Sequence, residues 1–280
     1  MRAELDKVIG EMSRILSQDL PFLDQITAHL MGMRGKLFRP TIVLLASRSA
    51  GRSEERATTL AATVELIHLA TLVHDDAIDH SVLRRGMPTS HVKFGEDVAI
   101  LAGDALFAEA MRLIAERQGG RPEAILRAIR EIAAATGVDG MVGGQYVDVT
   151  GGGTDAGSLR RLHSLKTGRL IAASVGAALV LAGVDGERAG PYRRFAAELG
   201  VLFQIVDDIL DVTGSDEELG KPSGSDQRHG KVTYVSLFGL DRARELARVS
   251  HEGAREALAG AEGNVDDLGR IADFIFTRDT

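Results

Sequence analysis

The segment VHDDAID, Val73–Asp79, returns later in the chain as IVDDILD, Ile205–Asp211. Each copy has two adjacent aspartates, two apolar residues and a third aspartate, and each follows an apolar approach. Residues i and i+4 of an α-helix share a face, so Asp75 and Asp79 are predicted to project together, with Asp76 beside them. The second copy repeats this arrangement with Asp207, Asp208 and Asp211. The pattern predicts two helices that each carry a cluster of carboxylates.

The remainder of the chain also favours helices. Of its 280 residues, 44% are hydrophobic and 26% charged, with only 6 prolines and 4% aromatic residues. Apolar residues recur at intervals of three and four, as in VAILAGDALFAEAMRLIAE at positions 98–116, and no segment has the alternation expected of a strand. We therefore expect an all-α fold of about ten or more helices, with residues 1–280 forming a single domain.

The charge and cysteine content argue against several classes of protein. The net charge is −7, which disfavours a nucleic-acid partner. There are no cysteines, which removes disulfides and thiolate metal sites and fits a reducing compartment. The N-terminal segment mixes charges into its apolar positions, unlike a signal peptide. The longest uncharged run, Leu170–Val184, has 15 residues, whereas a membrane span needs about 20. We expect a cytoplasmic protein with no transmembrane segment, in which this run is a buried core helix.

The two aspartate clusters suit a magnesium site. Carboxylates at this spacing repel one another, so each cluster weakens its helix unless a cation compensates. Oxygen ligands without histidine or cysteine suit Mg²⁺, which takes one or two carboxylates and completes its shell with water and phosphate oxygens. A single copy in a chain with 40 acidic residues would be as readily a solvated helix face. Two copies favour a phosphorylated ligand, bound through Mg²⁺ between two helices.

Basic residues grouped near the clusters are candidate phosphate contacts. They are Arg84 and Arg85 after the first cluster, Lys166 with Thr167 at the start of the long apolar segment, and Lys221 and Lys231 in and after a glycine-rich loop at 213–230. Arginine binds phosphate through two nitrogens at once, whereas lysine acts as a mobile point charge. The glycine-rich loop is expected to act as a lid over the ligand.

An ordered set of longer motifs identifies a family. The chain contains, in this order, GKLFRP, ELIHLATLVHDDAID, LRRGMPTSH, AGDALFAEA, GGQYVD, KTG, FQIVDDILD and GKPSGSDQRHGKVT. The set resembles the polyprenyl synthetase family of all-trans isoprenyl diphosphate synthases, and the match covers most of the chain. The resemblance implies an all-α, single-domain isoprenoid synthase bundle around a deep central cavity, usually as a homodimer. It also implies two substrates, isopentenyl diphosphate and an allylic diphosphate.

The resemblance further implies roles for individual residues. It implies that up to three Mg²⁺ ions are held on the allylic diphosphate by Asp75, Asp76, Asp79, Asp207, Asp208 and Asp211, which with Lys166 are the expected catalytic residues. It implies that the allylic diphosphate also contacts Arg84, Lys166, Thr167, Gln204, Lys221 and Lys231. It implies that isopentenyl diphosphate contacts Lys36, Arg39, His68 and Arg85, with Phe203 against its isoprene unit. His68 lies seven residues before Asp75, two helical turns away on the same face.

The implied reaction needs no nucleophilic side chain. Mg²⁺ and cationic side chains neutralise the charge that builds on the leaving diphosphate. The allylic C–O bond breaks to a delocalised carbocation, which the double bond of isopentenyl diphosphate attacks head-to-tail before a proton is lost to the departing diphosphate. Water would trap the cation, so the expected lid excludes it.

The turn before the first aspartates bears on product length. Thr71 lies four residues before Asp75 on the cavity side, and Ala70 adjoins it. In the family that this chain resembles, large aromatic residues at these places form a floor that ends chain growth while the product is still short. Both residues are small here, so we expect a product of at least twenty carbons and favour about twenty-five to forty-five. The alternative is that another helix supplies the floor of the cavity.

Other functions share part of this pattern. A class I terpene cyclase would carry an Asn/Ser/Glu motif in place of the second aspartate cluster. A head-to-head synthase would not explain GKLFRP and Arg85. A non-catalytic regulatory subunit would have lost aspartates or basic residues, and a lipid carrier would not need six aspartates. A magnesium-dependent trans-prenyltransferase explains all of these features.

Overall fold

The computed structural model describes residues 1–16, 21–33, 35–52, 57–152, 155–214 and 231–279. The predicted all-α class is confirmed. The helices in these ranges are α1 (Arg2–Leu16), α2 (Pro21–Gly32), α3 (Phe38–Ser49), α4 (Thr58–Ile78), α5 (Ser90–Phe94), α6 (Glu96–Arg117), α7 (Pro122–Thr136), α8 (Met141–Val149), α9 (Ala156–His163), α10 (Arg169–Ala182), α11 (Gly186–Thr213), α12 (Tyr234–Phe238), α13 (Leu240–Ala259) and α14 (Asp266–Phe276).

Helices α4 and α10 form the centre of the bundle. Helix α4 packs against α1, α3 and α6, and helix α10 packs against α3, α7 and α11. Both helices are apolar around most of their circumference, which is the pattern of a helix surrounded by protein. The continuous helical stretch 156–182 is apolar and long enough to cross a membrane, but 61% of its most apolar window is buried in the bundle. The long apolar run is therefore a core helix, as its length predicts.

The two ends of the described chain contribute to the same core. Val8 and Met12 of α1 are fully buried where α1 packs on α4. Leu268 and Ala272 of α14 are equally buried, and α14 packs on α11, α13 and α3. One apolar cluster contains residues from all of these helices.

A short β-hairpin follows α4, although the sequence predicts no strand. Leu83–Arg84 pairs antiparallel with Met87–Pro88, and the turn between them consists of Arg85 and Gly86. Both turn residues have positive φ angles, 52° and 73°, as the two-residue turns that match strand twist require. Helix α4 ends at Ile78, with Asp79 as its C-cap residue. The two arginines therefore lie on a hairpin beyond the first aspartate cluster.

Candidate active site

One face of α4 is partly accessible along the helix. His68, Thr71, Asp75 and Asp79 are partly exposed at intervals of three and four residues. The structure thus brings Asp75 and Asp79 onto one accessible face, as their spacing predicts. Ala70 is only 1% exposed and is not on this face.

Asp76 is turned away from the accessible face and is held by Arg84. Its side chain is 3% exposed, and both of its oxygens accept hydrogen bonds from the guanidinium, at 2.8 Å from Nε and 2.7 Å from Nη2. Burial lowers the pKa of Arg84, but the hydrogen bond to Asp76 and the charges of nearby aspartates outweigh it and raise that pKa. This two-point pair fixes the hairpin to the end of α4. Arg84 therefore presents its charge beside Asp75 and Asp79.

The second aspartate cluster is tied to the segment that carries Lys166 and Thr167. Thr167 donates to Gln204 Oε1 at 3.0 Å, and Gln204 Nε2 donates to Asp208 Oδ1 at 2.9 Å. The other oxygen of Asp208 accepts the backbone N–H of Tyr234 at 2.8 Å. Asp208 is 1% exposed, so its carboxylate is part of the protein scaffold in this state. Asp211 is also buried, at 3% exposed, whereas Asp207 is exposed.

Lys166 and Thr167 lie in a turn of π-helix, Ser164–Gly168, between α9 and α10. Such turns are rare and frequent at functional sites. Two glycines allow neighbouring helices to approach it closely. A Cβ on Gly144 of α8 would overlap the backbone of Lys166, and one on Gly200 of α11 would lie 2.9 Å from Gly168 Cα. Helices α8 and α11 therefore hold the turn from two sides.

An alternating chain of charges crosses the site. Lys166 Nζ lies 2.5 Å from Asp148 Oδ2 on α8. Lys231 Nζ lies 3.7 Å from the same Asp148 oxygen and 2.9 Å from Asp79 Oδ2 on α4. Four separate segments (the π-turn, α8, the segment before α12 and the end of α4) thus place two ammonium groups and two carboxylates in one row.

The aspartates of α4 need cationic partners. Burial raises the pKa of Asp75 above its ordinary value. The adjacent charge of Asp79 raises it further, while Lys166, Arg84 and Lys231 oppose the rise. Burial destabilises the ionised form of a carboxylate, and a nearby positive charge stabilises it. This face of α4 is suited to binding cations.

A second basic cluster lies where α3, α4 and the hairpin meet. Burial lowers the pKa of His68 well below its ordinary value, and the charges of Arg39 and Arg85 lower it further, so His68 is neutral at pH 7. Arg85 packs on the backbone of Gly35 and donates a hydrogen bond to the carbonyl oxygen of Met33. The structure therefore brings together three of the residues predicted to bind isopentenyl diphosphate.

Lys36 and Phe203 border the same region. Lys36 is exposed, and its ammonium lies 5.9 Å from the centre of the Phe274 ring on α14. Phe203 stacks on Phe38 of α3, with ring centres 5.1 Å apart and planes inclined by 27°. The aromatic pair provides an apolar wall next to the basic cluster, as an isoprene unit requires. Lys221 and most of the glycine-rich loop lie outside the described residues.

Two carboxylates of the site are not among the predicted residues. Asp148 lies in the GGQYVD motif, but nothing in its spacing links it to Lys166 and Lys231. Glu65 lies in ELIHLA, three residues before His68, and is 3% exposed. Burial raises its pKa to about 7, although Arg39 and Arg85 both act to lower it. The only sequence signal for Glu65 is an acidic residue inside an otherwise apolar helix.

The donor set fits Mg²⁺ together with a diphosphate. Within the described residues, no group of three or more acidic or histidine side chains converges on one point. Mg²⁺ takes one or two carboxylates and fills its shell with water and phosphate oxygens, so Asp75 and Asp79 are sufficient when a diphosphate is bound. The ammonium of Lys231 on Asp79 marks a position where the site already stabilises a cation.

Comparison with known proteins agrees with this geometry. The sequence model described as polyprenyl synthetase matches residues 20–268. The chain belongs to the polyprenyl synthetase family. It is 42% identical to geranylgeranyl pyrophosphate synthase 7, chloroplastic, of Arabidopsis thaliana, over 88% of this chain and 73% of that protein. It is 39% identical to the farnesyl diphosphate synthase of Geobacillus stearothermophilus, over 92% of this chain and 89% of that protein.

A solved structure extends the likeness to the fold. The geranyltransferase of Helicobacter pylori, complexed with magnesium and isoprenyl diphosphate, superposes with a TM-score of 0.80 at 27% identity. The superposition covers 99% of this chain and 95% of that one. The fold is that of the isoprenoid synthases, as the sequence motifs predict.

Proposed function

We propose that this chain is a trans-prenyltransferase that condenses isopentenyl diphosphate head-to-tail with an allylic diphosphate. One observation carries the proposal. Arg84 and Lys231 pair with aspartates of α4, Lys166 lies close enough to lower the pKa of Asp75, and the π-turn that supplies Lys166 also contacts the aspartate helix α11. Relatives named as geranylgeranyl and farnesyl diphosphate synthases support it.

The allylic diphosphate is bound between α4 and α11. Asp75 and Asp79 of α4 and Asp207 of α11 would hold Mg²⁺, up to three ions in all with Asp76, Asp208 and Asp211, and the metal supplies charge neutralisation at the leaving diphosphate. Arg84, Lys166, Thr167, Gln204 and Lys231 would contact the same group. Lys221 is proposed to do so on the resemblance alone, since it lies outside the described residues. Negative charge builds on the diphosphate as the C–O bond breaks. The positive charges of Arg84, Lys166 and Lys231 would therefore stabilise the transition state more than the substrate.

Isopentenyl diphosphate is bound at the second basic cluster. Arg39 and Arg85 face its diphosphate with neutral His68 as a hydrogen-bond donor, and Lys36 lies at the entrance. The Phe38–Phe203 pair lies against the isoprene unit and orients its double bond toward the allylic carbon. Binding both substrates in one cavity makes the attack effectively intramolecular and keeps water from the cation.

We propose a product of at least twenty carbons. The hydroxyl of Thr71 donates to the carbonyl of His68 at 2.8 Å, so this hydroxyl needs no partner from the growing product chain. Beneath it, the same face of α4 continues with the aliphatic side chains Ile67 and Val64. At the far end of α4, a cavity of about 530 Å³ borders Leu60. Thr71 is small and lies on the accessible face, so no aromatic ring blocks this turn of α4, whereas Ala70, although also small, is buried away from that face.

The assembly proposed is a homodimer of single-domain subunits spanning residues 1–280. Ile100 and Leu101 of α6 are 43% and 65% exposed, and Val142 and Tyr146 of α8 are 54% and 70% exposed. Exposed apolar side chains of this size are typical of surfaces that a second chain covers. A cytoplasmic location is proposed because a chain without cysteine suits a reducing compartment.

The test is product formation from radiolabelled isopentenyl diphosphate with Mg²⁺ and separate allylic starters of different lengths, with products resolved by chain length. The proposal expects elongation that requires both a starter and the metal. Asp75→Asn should abolish elongation. Asp155→Asn makes the same chemical change at the exposed N-cap of α9, where asparagine can still accept the capping hydrogen bonds, and should leave elongation intact. A folded wild-type protein that elongates no starter would overturn the proposal.

A further inference from the structure

Asp148 lies between the two lysines of the allylic site. Its Oδ2 atom is 2.5 Å from Lys166 Nζ and 3.7 Å from Lys231 Nζ. The carboxylate is 15% exposed and comes from the last turn of α8, which the close approach at Gly144 fixes against the π-turn. Both ammonium groups are therefore within 4 Å of one oxygen, on an element that is held rigidly against the segment carrying Lys166.

Lys231 has a second partner among the aspartates of α4. Its ammonium lies 2.9 Å from Asp79 Oδ2, in the position of the cation that this carboxylate is expected to bind. When a metal diphosphate binds, Asp79 can become a metal ligand only if Lys231 leaves it. An ammonium released in this way needs another carboxylate nearby, since otherwise Lys166 and Lys231 repel each other.

We propose that Asp148 is a positioning residue for the allylic diphosphate. It holds Lys166 at the site, and it pairs with Lys231 when Asp79 becomes a metal ligand. Both ammonium groups then face the leaving diphosphate. Asp148 itself contacts neither substrate. This inference rests on the proposed function and adds a residue to its machinery.

The charge state of Asp148 is consistent with this role. Burial raises its pKa, but the charge and hydrogen bond of Lys166, and then the charge of Lys231, outweigh burial and hold the pKa below its ordinary value. Asp148 is thus ionised at neutral pH.

Kinetics of Asp148→Asn provide the first test. The substitution keeps the shape of the side chain and removes its charge, so both lysines lose their shared anchor. We expect kcat/KM for the allylic diphosphate to fall roughly ten- to a hundredfold, with little change in KM for isopentenyl diphosphate, which binds at the separate basic cluster. Asp139→Asn, an exposed aspartate just before α8, is the matched control and should change neither. Equal losses for both substrates would mean a general structural defect and would overturn the proposal.

Binding of Mn²⁺, followed by electron paramagnetic resonance with and without inorganic pyrophosphate, provides a readout that needs no turnover. Lys231→Met should tighten binding of Mn²⁺ alone several-fold, because no ammonium competes for Asp79. Asp148→Asn should weaken Mn²⁺ binding, because Lys231 then lacks its alternative anionic partner and competes more strongly for Asp79. In the double variant most of that weakening should disappear.

Two results would contradict the inference. One is that Lys231→Met leaves Mn²⁺ binding unchanged or weakens it. The other is that Asp148→Asn weakens binding equally in both backgrounds, which would mean that Asp148 does not act through Lys231. Neither result depends on whether the wild-type protein makes a prenyl product, so failure of this inference is distinguishable from failure of the proposed function.

Discussion

Glu65 is a carboxylate in the interior of the bundle, beside the arginines of the proposed isopentenyl diphosphate site. Burial raises its pKa from 4.5 to about 7. A carboxyl group with a raised pKa binds its proton more tightly in the folded chain than in the unfolded chain. Its contribution to stability is therefore complete below pH 4.5 and is lost as the pH rises to about 7.

Replacing Glu65 by glutamine should reveal this titration. Relative to that of Glu65→Gln, the unfolding free energy of the wild-type protein should fall by on the order of 3 kcal/mol as the pH rises from the unfolded-chain pKa to the folded-chain pKa of Glu65. It should fall no further at higher pH. Urea unfolding of both proteins at pH 5 and pH 8 measures the difference. A difference that stays constant between the two pH values would contradict the burial of an ionisable Glu65 beside Arg39 and Arg85.

Thr71 tests the product-length proposal at a single position. It lies one helical turn beneath Asp75 on the accessible face of α4. Thr71→Phe adds an aromatic ring that the surrounding core cannot take up, so the ring must occupy the cavity. We expect a shift of the main product to a shorter chain, measured by chromatography of the dephosphorylated products. Thr71→Ser keeps a small side chain with the same hydroxyl and should leave the product unchanged. An unchanged product from Thr71→Phe would place the floor on another helix.

At the scale of elements, the π-turn depends on how closely α8 approaches it. Gly144→Ala would place a methyl group on the backbone of Lys166 and push α8 and the turn apart. We expect a loss of about 1–3 kcal/mol in stability, together with a tenfold or larger fall in kcat/KM for the allylic substrate. Thermal unfolding and steady-state kinetics measure the two effects.

Gly10→Ala is the matched control for this substitution. Gly10 lies inside α1, and a Cβ there meets no neighbour within 4 Å. The same added methyl should stabilise the protein by roughly 0.5–1 kcal/mol and leave kinetics unchanged. If Gly144→Ala changed stability and kinetics in the same way as Gly10→Ala, that result would contradict the close packing of α8 on the π-turn.

Element by element, the sequence predicts what depends on local spacing. The i, i+4 pattern places Asp75 and Asp79 on one face, and the composition of 170–184 predicts a core helix. The hairpin is not predicted, because two-residue strands have no period to detect and Arg85 adopts a positive φ that its residue type disfavours. Asp148 is missed because its contacts depend on how α8 packs against a distant turn. Such contacts follow from the packing of three elements and leave no trace in sequence spacing.

At the scale of the whole molecule, the bundle brings two positively charged clusters to neighbouring positions along α4. One region consists of Arg84, Lys166 and Lys231 around the aspartates, and the other of Arg39, Arg85 and neutral His68. The resemblance of the motifs implies both regions, and the structure adds their connections: the Asp76–Arg84 pair, the Thr167–Gln204–Asp208 chain and the row of charges through Asp148. Through these connections, side chains that are distant in sequence would act on one diphosphate in the proposed function.

The central claim is that this arrangement breaks the allylic C–O bond to a carbocation before the new carbon–carbon bond forms. The most direct measurement compares single-turnover rates for an allylic diphosphate and for its analogue with fluorine at carbon 2. Fluorine withdraws electrons from the cation while changing the size of the substrate little. The account predicts that the analogue binds with similar affinity but reacts at least about a hundredfold more slowly, a barrier increase of roughly 2.7 kcal/mol. Rates within threefold of each other would contradict it, because they would mean that bond formation accompanies bond breaking and that little charge develops at the allylic carbon.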